Sequence, residues 1–143
     1  MILELSNFVH FVGIAFGLGG STLAAIVMRR AEKDRNLRLA ARIVPDIAKL
    51  IWAGLILTIL SGIVLTAVTP WQMDLFILGV KHALVAVLVI IGLYFWFGMI
   101  PKIKKIKPGK VPKDFIRARK GMKVISTIGL VCWYLITLLS VFV

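Results

Sequence analysis

Four apolar runs divide this chain, at about residues 5–28, 47–68, 75–100 and 123–143. Each is long enough to cross a bilayer, whose hydrocarbon core of about 30 Å takes roughly 20 helical residues at about 1.5 Å each. Water does not reach that core to satisfy peptide groups, so each run is expected to be a helix, and four such helices close into an up-down bundle. The expected fold class is all-α: an integral membrane four-helix bundle forming a single transmembrane domain over residues 1–143. A hydrophobic share of 60% coexists with a net charge of +12 because the charges are gathered into blocks between the runs. A soluble domain would scatter them.

Those blocks set the expected orientation. Six basic residues (Arg29, Arg30, Lys33, Arg35, Arg38, Arg42) fall in the first loop, 29–46, and ten fall between Lys102 and Lys123, in and beside the third loop, 101–122. The positive-inside rule makes both loops cytoplasmic, which places both termini and the TPWQMD turn outside and gives a multi-pass protein of the cell membrane. The KIKKIKPGKVPK stretch could suggest nucleic acid, yet it has no interleaved aromatics and lies beside a span. It reads as a topology signal in contact with anionic lipid, so the bilayer is the expected partner and nucleic acid is not. Asp114 marks where the last helix is expected to begin, ahead of the bilayer.

The first span is expected to stay attached, since Glu4 precedes it with no Lys or Arg and no small-residue cleavage site follows. The one cysteine, Cys132, lies inside the fourth span, which leaves no intrachain disulfide and no CxxC site. No P-loop, GxSxG, HExxH or EF-hand pattern is present, so hydrolytic and nucleotide chemistry have no sequence support. Trp52, Trp71 and Trp96 read as interfacial anchors or core fillers.

Once the loops are set aside, the third span still carries Lys81 and His82 side by side, in GVKHAL. The only other histidine, His10, is in the first span. From the outer ends of their spans His10 lies about 8 Å down and His82 about 10 Å down, nearly one level. Spans one and three are diagonal neighbours in an up-down bundle, so two inward imidazoles would face each other, as axial ligands of a b-type haem do. Gly13 and Gly17 on the face of His10, and Gly79 one turn before His82, would leave room for a planar group. The same glycines also form small-xxx-small faces of the kind that pack membrane helices together. Successive residues are about 100° apart around a helix, so with His82 inward Lys81 lies on an adjacent face. There it either snorkels to the interface or pairs with a haem propionate or a substrate carboxylate.

The stretches HFVGIAFGLGGSTLAA, GIVLTA and GVKHALVAVLVIIGLY resemble the four-helix membrane unit of the copper-resistance D family and of HemJ-type protoporphyrinogen oxidases. The resemblance covers about the first hundred residues. It implies a haem b site, and it carries an essential histidine of span one onto His10 and an essential lysine of span three onto Lys81. Copper handling, the other implication, ranks below haem because copper(I) prefers soft sulfur ligands and the spans hold no cluster of Met or Cys.

The expected function is a membrane b-type haem protein, with His10 and His82 as iron ligands and Lys81, Gly13, Gly17 and Gly79 around the cofactor. Its task would be electron transfer or oxidation of a small lipophilic molecule, a quinol or porphyrinogen, near the outer leaflet. Oxidoreductase and passive electron carrier stay open, because both need the same ligand pair. Two further readings stand beside it. One is a copper or small-solute transport protein, which would need a polar route through the inner leaflet, where the spans offer only Thr, Ser and Asn. The other is a cofactor-free subunit that docks on itself or on a larger membrane complex.

Overall fold

The structure is a computed structural model of the 143-residue chain, and it describes residues 1–33, 36–70, 74–107 and 109–141. Arg35, Trp71, Met73, Pro108 and the last two residues of the fourth run lie outside them. Four long helices carry the described chain: α1 (Ile2–Lys33), α2 (Leu37–Val68), α3 (Leu75–Lys104) and α4 (Lys113–Val141). All four are long and apolar enough to cross a membrane, and together they form an all-α multi-pass bundle.

The helices are longer than the apolar runs, chiefly at the basic end. A helix such as Ile2–Lys33 spans about 48 Å, well beyond the hydrocarbon core, so its last turns project into the headgroup region. Of the stretch expected to be loop, 29–46, the described residues other than Asn36 are therefore helical. LRLAARIV is rich in strong helix formers, and α2 continues through Pro45 toward its basic start. At the opposite end Asp74 caps α3, its Oδ1 accepting from the Phe76 and Ile77 amides at 2.8 and 3.4 Å.

Near its basic end α3 passes through a π-helical segment, Tyr94–Met99, directly before Pro101. Proline has no amide hydrogen and its ring crowds the carbonyl four residues back, here Phe97, so a widened turn lets the helix continue to Lys104. The chain then turns at Gly109 (φ 73°) between paired Lys107 and Lys110. α4 starts at Lys113 with Asp114 in its first turn, as expected.

A close backbone-to-backbone approach joins α1 to α2, which share the largest interface. A Cβ on Gly13 would fall 2.6 Å from Thr58 Oγ1 and 2.9 Å from the Gly54 carbonyl, and one on Gly54 would fall 2.7 Å from the Gly13 carbonyl. The two backbones touch, which only glycine permits. α4 packs on both α1 and α3, with the Trp133 indole lying against Gly17. α2 and α3 meet less, chiefly at the last turn of α3, and the Trp52 ring closes their seam against Gly92. α1 and α3 are diagonal, as the up-down order requires.

Two apolar clusters hold these helices. Leu55, Leu88, Cys132, Trp133 and Ile136 pack across the middle, while Ala40, Met99, Ile103, Phe115 and Met122 plug the basic end. Gly13→Ala should destabilise the bundle by about 1–3 kcal/mol, because its methyl meets backbone that cannot yield. Gly19→Ala, with open space around the new methyl, should be neutral or mildly stabilising. Thermal unfolding of the two detergent-purified variants measures the contrast.

Candidate functional site

Two polar sites lie inside the bundle, one above and one below the Trp133 layer. The upper one contains His10, half-buried and turned toward α2. Ser61 Oγ donates to the Leu57 carbonyl at 2.6 Å, which commits its proton, so His10 Nδ1–H must donate to Ser61 Oγ at 3.0 Å. The imidazole lies over Gly62, and its Nε2 keeps a free lone pair. Lys81 is half-buried and within Coulombic reach of His10. Among the described residues it has no hydrogen-bond or ion-pair partner.

His82 is elsewhere. Its side chain is exposed on the outer surface of α3, and its Nδ1–H donates back to the Leu78 carbonyl at 2.8 Å. The depth match expected from residue counting does not become a facing pair, because α3 is rotated so that Lys81 turns inward and His82 outward. Gly79 is exposed near it, with open space where a Cβ would be. Gly13 and Gly17, expected to leave room for a planar group, are instead covered by α2 and by Trp133. The structure thus leaves His10 and Lys81 half-buried, with no hydrogen bond between them, and puts His82, Gly13, Gly17 and Gly79 outside a shared site.

The lower site is a cavity of about 340 Å³ in the basic half of the bundle, at the small end of the roughly 300–1,000 Å³ range of ligand pockets. Small residues on all four helices create it: Ser21, Ala24 and Ala25 at helical spacing on α1, Ala48 on α2, Gly92 on α3 and Ser126 on α4. The walls are apolar, with Trp52, Trp96 and Trp133 among them, three of the four tryptophans in the chain. The π-helical segment of α3 contributes Phe95 and Trp96, in keeping with the frequent use of such segments at functional sites.

Three charged residues complete its lining: Arg29, Glu32 and Lys123. The Glu32 side chain is only 11% exposed and accepts from Arg119 Nε at 2.6 Å and Lys123 Nζ at 2.7 Å. The inner half was expected to offer only Thr, Ser and Asn. It carries these charges because α1 runs on to Lys33 and α4 begins as early as Lys113. Glu32 was legible only as a loop residue, since the helix extension and the partner 87 residues away come from the fold.

Directly below the cavity the bundle is closed by Ile103, Phe115 and Met122, which are 1%, 1% and 4% exposed. Along the flank between α1 and α4, Arg29, Lys123 and Thr127 are exposed. The cavity lining is therefore open to solvent or lipid on that flank.

Among the described residues no group of three or more His, Cys, Asp or Glu side chains could hold a metal ion. Comparisons with protein-family models, with curated proteins and with solved structures find no match for this chain. The difference between the two histidines is measurable. Ser61→Ala should leave His10 Nδ1–H without its acceptor and cost about 1–3 kcal/mol, whereas His82→Ala should change the unfolding temperature little, since the imidazole bonds only within its own helix.

Proposed function

We propose that this protein binds a small lipophilic molecule inside the cytoplasmic membrane, in the half of the bundle that faces the cytosol. The observation that carries this reading is the cavity itself: apolar, lined by three tryptophans, formed by small residues on four helices and plugged axially below. Cavities with small-residue walls are costly in a packed bundle, because their lining atoms lose dispersion contacts that a ligand restores. Access from the flank fits a molecule arriving from the lipid phase, and the basic loops orient that flank toward the cytosolic leaflet. The bundle then serves as a carrier or substrate-binding unit for such a molecule.

The test uses the protein in phosphatidylcholine nanodiscs with 11-bromoundecanol, whose bromine quenches tryptophan fluorescence at contact. Wild type should show saturable quenching from Trp52, Trp96 and Trp133. Ala48→Phe, which fills the cavity from α2, should abolish the saturable part and leave only the linear quenching of bilayer partitioning. Equal linear quenching in both proteins would refute the reading.

A second reading rests on His10. A histidine whose Nδ1–H is held by a hydrogen bond presents Nε2 in the manner of a metal ligand oriented by its outer shell. The bis-histidine pair does not fit, since His82 is on the bundle surface, so His10 would be the one ligand from the bundle interior, with Lys81 beside it to balance an anionic group. A haem or metal ion held there would supply one-electron chemistry that no side chain of this bundle provides. The oxidised and dithionite-reduced absorption spectra decide it. The reading expects a Soret band that His10→Ala removes and His82→Ala retains, and a colourless protein expressed with ample haem would end it for haem.

A further inference from the structure

Resting on the reading of the lower cavity as a lipophile site, we infer that its ligand is an amphiphile with an anionic head, phosphate or carboxylate, held at the mouth by Arg29 and Lys123. Glu32, the chain's own carboxylate, already pairs with one of these two cations, Lys123.

The charges at the mouth are unequal. The one carboxylate there, Glu32, is paired with Arg119 and Lys123. Arg29 lines the cavity with no ion-pair partner among the described residues. Lys123 reaches Glu32 from the cavity wall, with its side chain 56% exposed, so it can turn to a second anion without leaving the site. A carboxylate or phosphate at the flank would take charge-assisted hydrogen bonds from Arg29 and Lys123, while Arg119 keeps Glu32 in place.

Simpler ligands match only part of the site. An inorganic anion would use the cationic rim and leave the apolar volume behind it empty. A neutral lipophile would fill the volume and leave Arg29 unpaired at the membrane boundary. A molecule with both parts matches both surfaces, its tail between Trp52, Trp96 and Trp133 and its head at the level where α1 leaves the hydrocarbon. Position separates this site from the general attraction of basic loops to anionic lipid. Arg29 and Lys123 line a cavity, whereas residues such as Arg38 are only surface charges.

The experiment compares 11-bromoundecyl phosphate with 11-bromoundecanol, which share a tail, by tryptophan quenching in phosphatidylcholine nanodiscs. The phosphate should bind about tenfold tighter than the alcohol or better, the scale of one added charge-assisted bond. Arg29→Gln combined with Lys123→Gln should remove that preference, so that the phosphate binds no tighter than the alcohol. Glu32→Gln should strengthen phosphate binding by removing the internal competitor, and Arg38→Ala should leave the preference intact.

Saturable binding of both probes with equal affinity would overturn the anionic head and leave the cavity reading standing. Saturable binding of neither would overturn both. Competition by inorganic phosphate at the concentration of the alkyl phosphate would replace the amphiphile with a free anion. A loss of preference in Arg38→Ala as large as in the mouth variant would reduce the effect to diffuse surface charge.

Discussion

The bundle depends on one backbone contact, where Gly13 and Gly17 of α1 meet Gly54 of α2. No hydrophobic effect drives helices together in lipid, so association rests on dispersion and polar contacts that require close approach. Glycine supplies that approach, and the hydroxyls alongside it are already satisfied. Thr58 Oγ1 donates to the Gly54 carbonyl at 2.8 Å and Ser61 to the Leu57 carbonyl, so the seam leaves no polar group without a partner. With α1 and α2 joined, Gly17 becomes the surface on which Trp133 rests, and this positions α4. Trp52 against Gly92 does the same for α3. The four helices are arranged by aromatic rings seated on glycines, and the cavity is the volume left beneath them where the facing residues are serine and alanine.

The polar residues inside the bundle fall into two kinds. His10 donates to Ser61, which donates to the Leu57 carbonyl, and Thr58 donates separately to the Gly54 carbonyl, while Glu32, Arg119 and Lys123 bridge two helices at the basic end. The first kind fixes a side chain in one orientation and leaves a single reactive atom, Nε2, unused. The second ties the end of α1 to the start of α4, and in partial contact with solvent it contributes modestly to stability. Its larger consequence is electrostatic, because with Arg29 beside it the flank between α1 and α4 carries an excess of positive charge.

His82 and Lys81 show how much rotation about a helix axis matters. Counting residues from the edge of an apolar run gives an expected depth and nothing about direction. Which way a side chain points depends on how the whole helix is turned against its neighbours, and neighbouring residues differ by about 100°. α3 is turned by the packing of Leu84, Val85 and Leu88 in the central cluster, and that rotation brings Lys81 inward and carries His82 to the surface. The apolar pattern of α3 is nearly uniform around its circumference, so no amphipathic stripe announces the rotation in advance.

What the sequence determines by itself is the set of four membrane-length helices, their alternating order and the basic end, because length, hydropathy and charge are local properties that lipid reads directly. The start of the last helix near Asp114 and the packing use of the small residues in the first two spans were also legible for that reason. The extension of α1 to Lys33 and of α2 back to Leu37 was not, since polar helical turns outside the hydrocarbon carry no hydropathy signal. Tertiary structure alone decided that Gly17 receives Trp133, that Glu32 meets Arg119 and Lys123, and that an apolar cavity forms among Trp52, Trp96 and Trp133 in the basic half of the bundle. Each of these joins residues far apart in the chain through the relative rotation and approach of helices, which are set by side-chain shape in three dimensions.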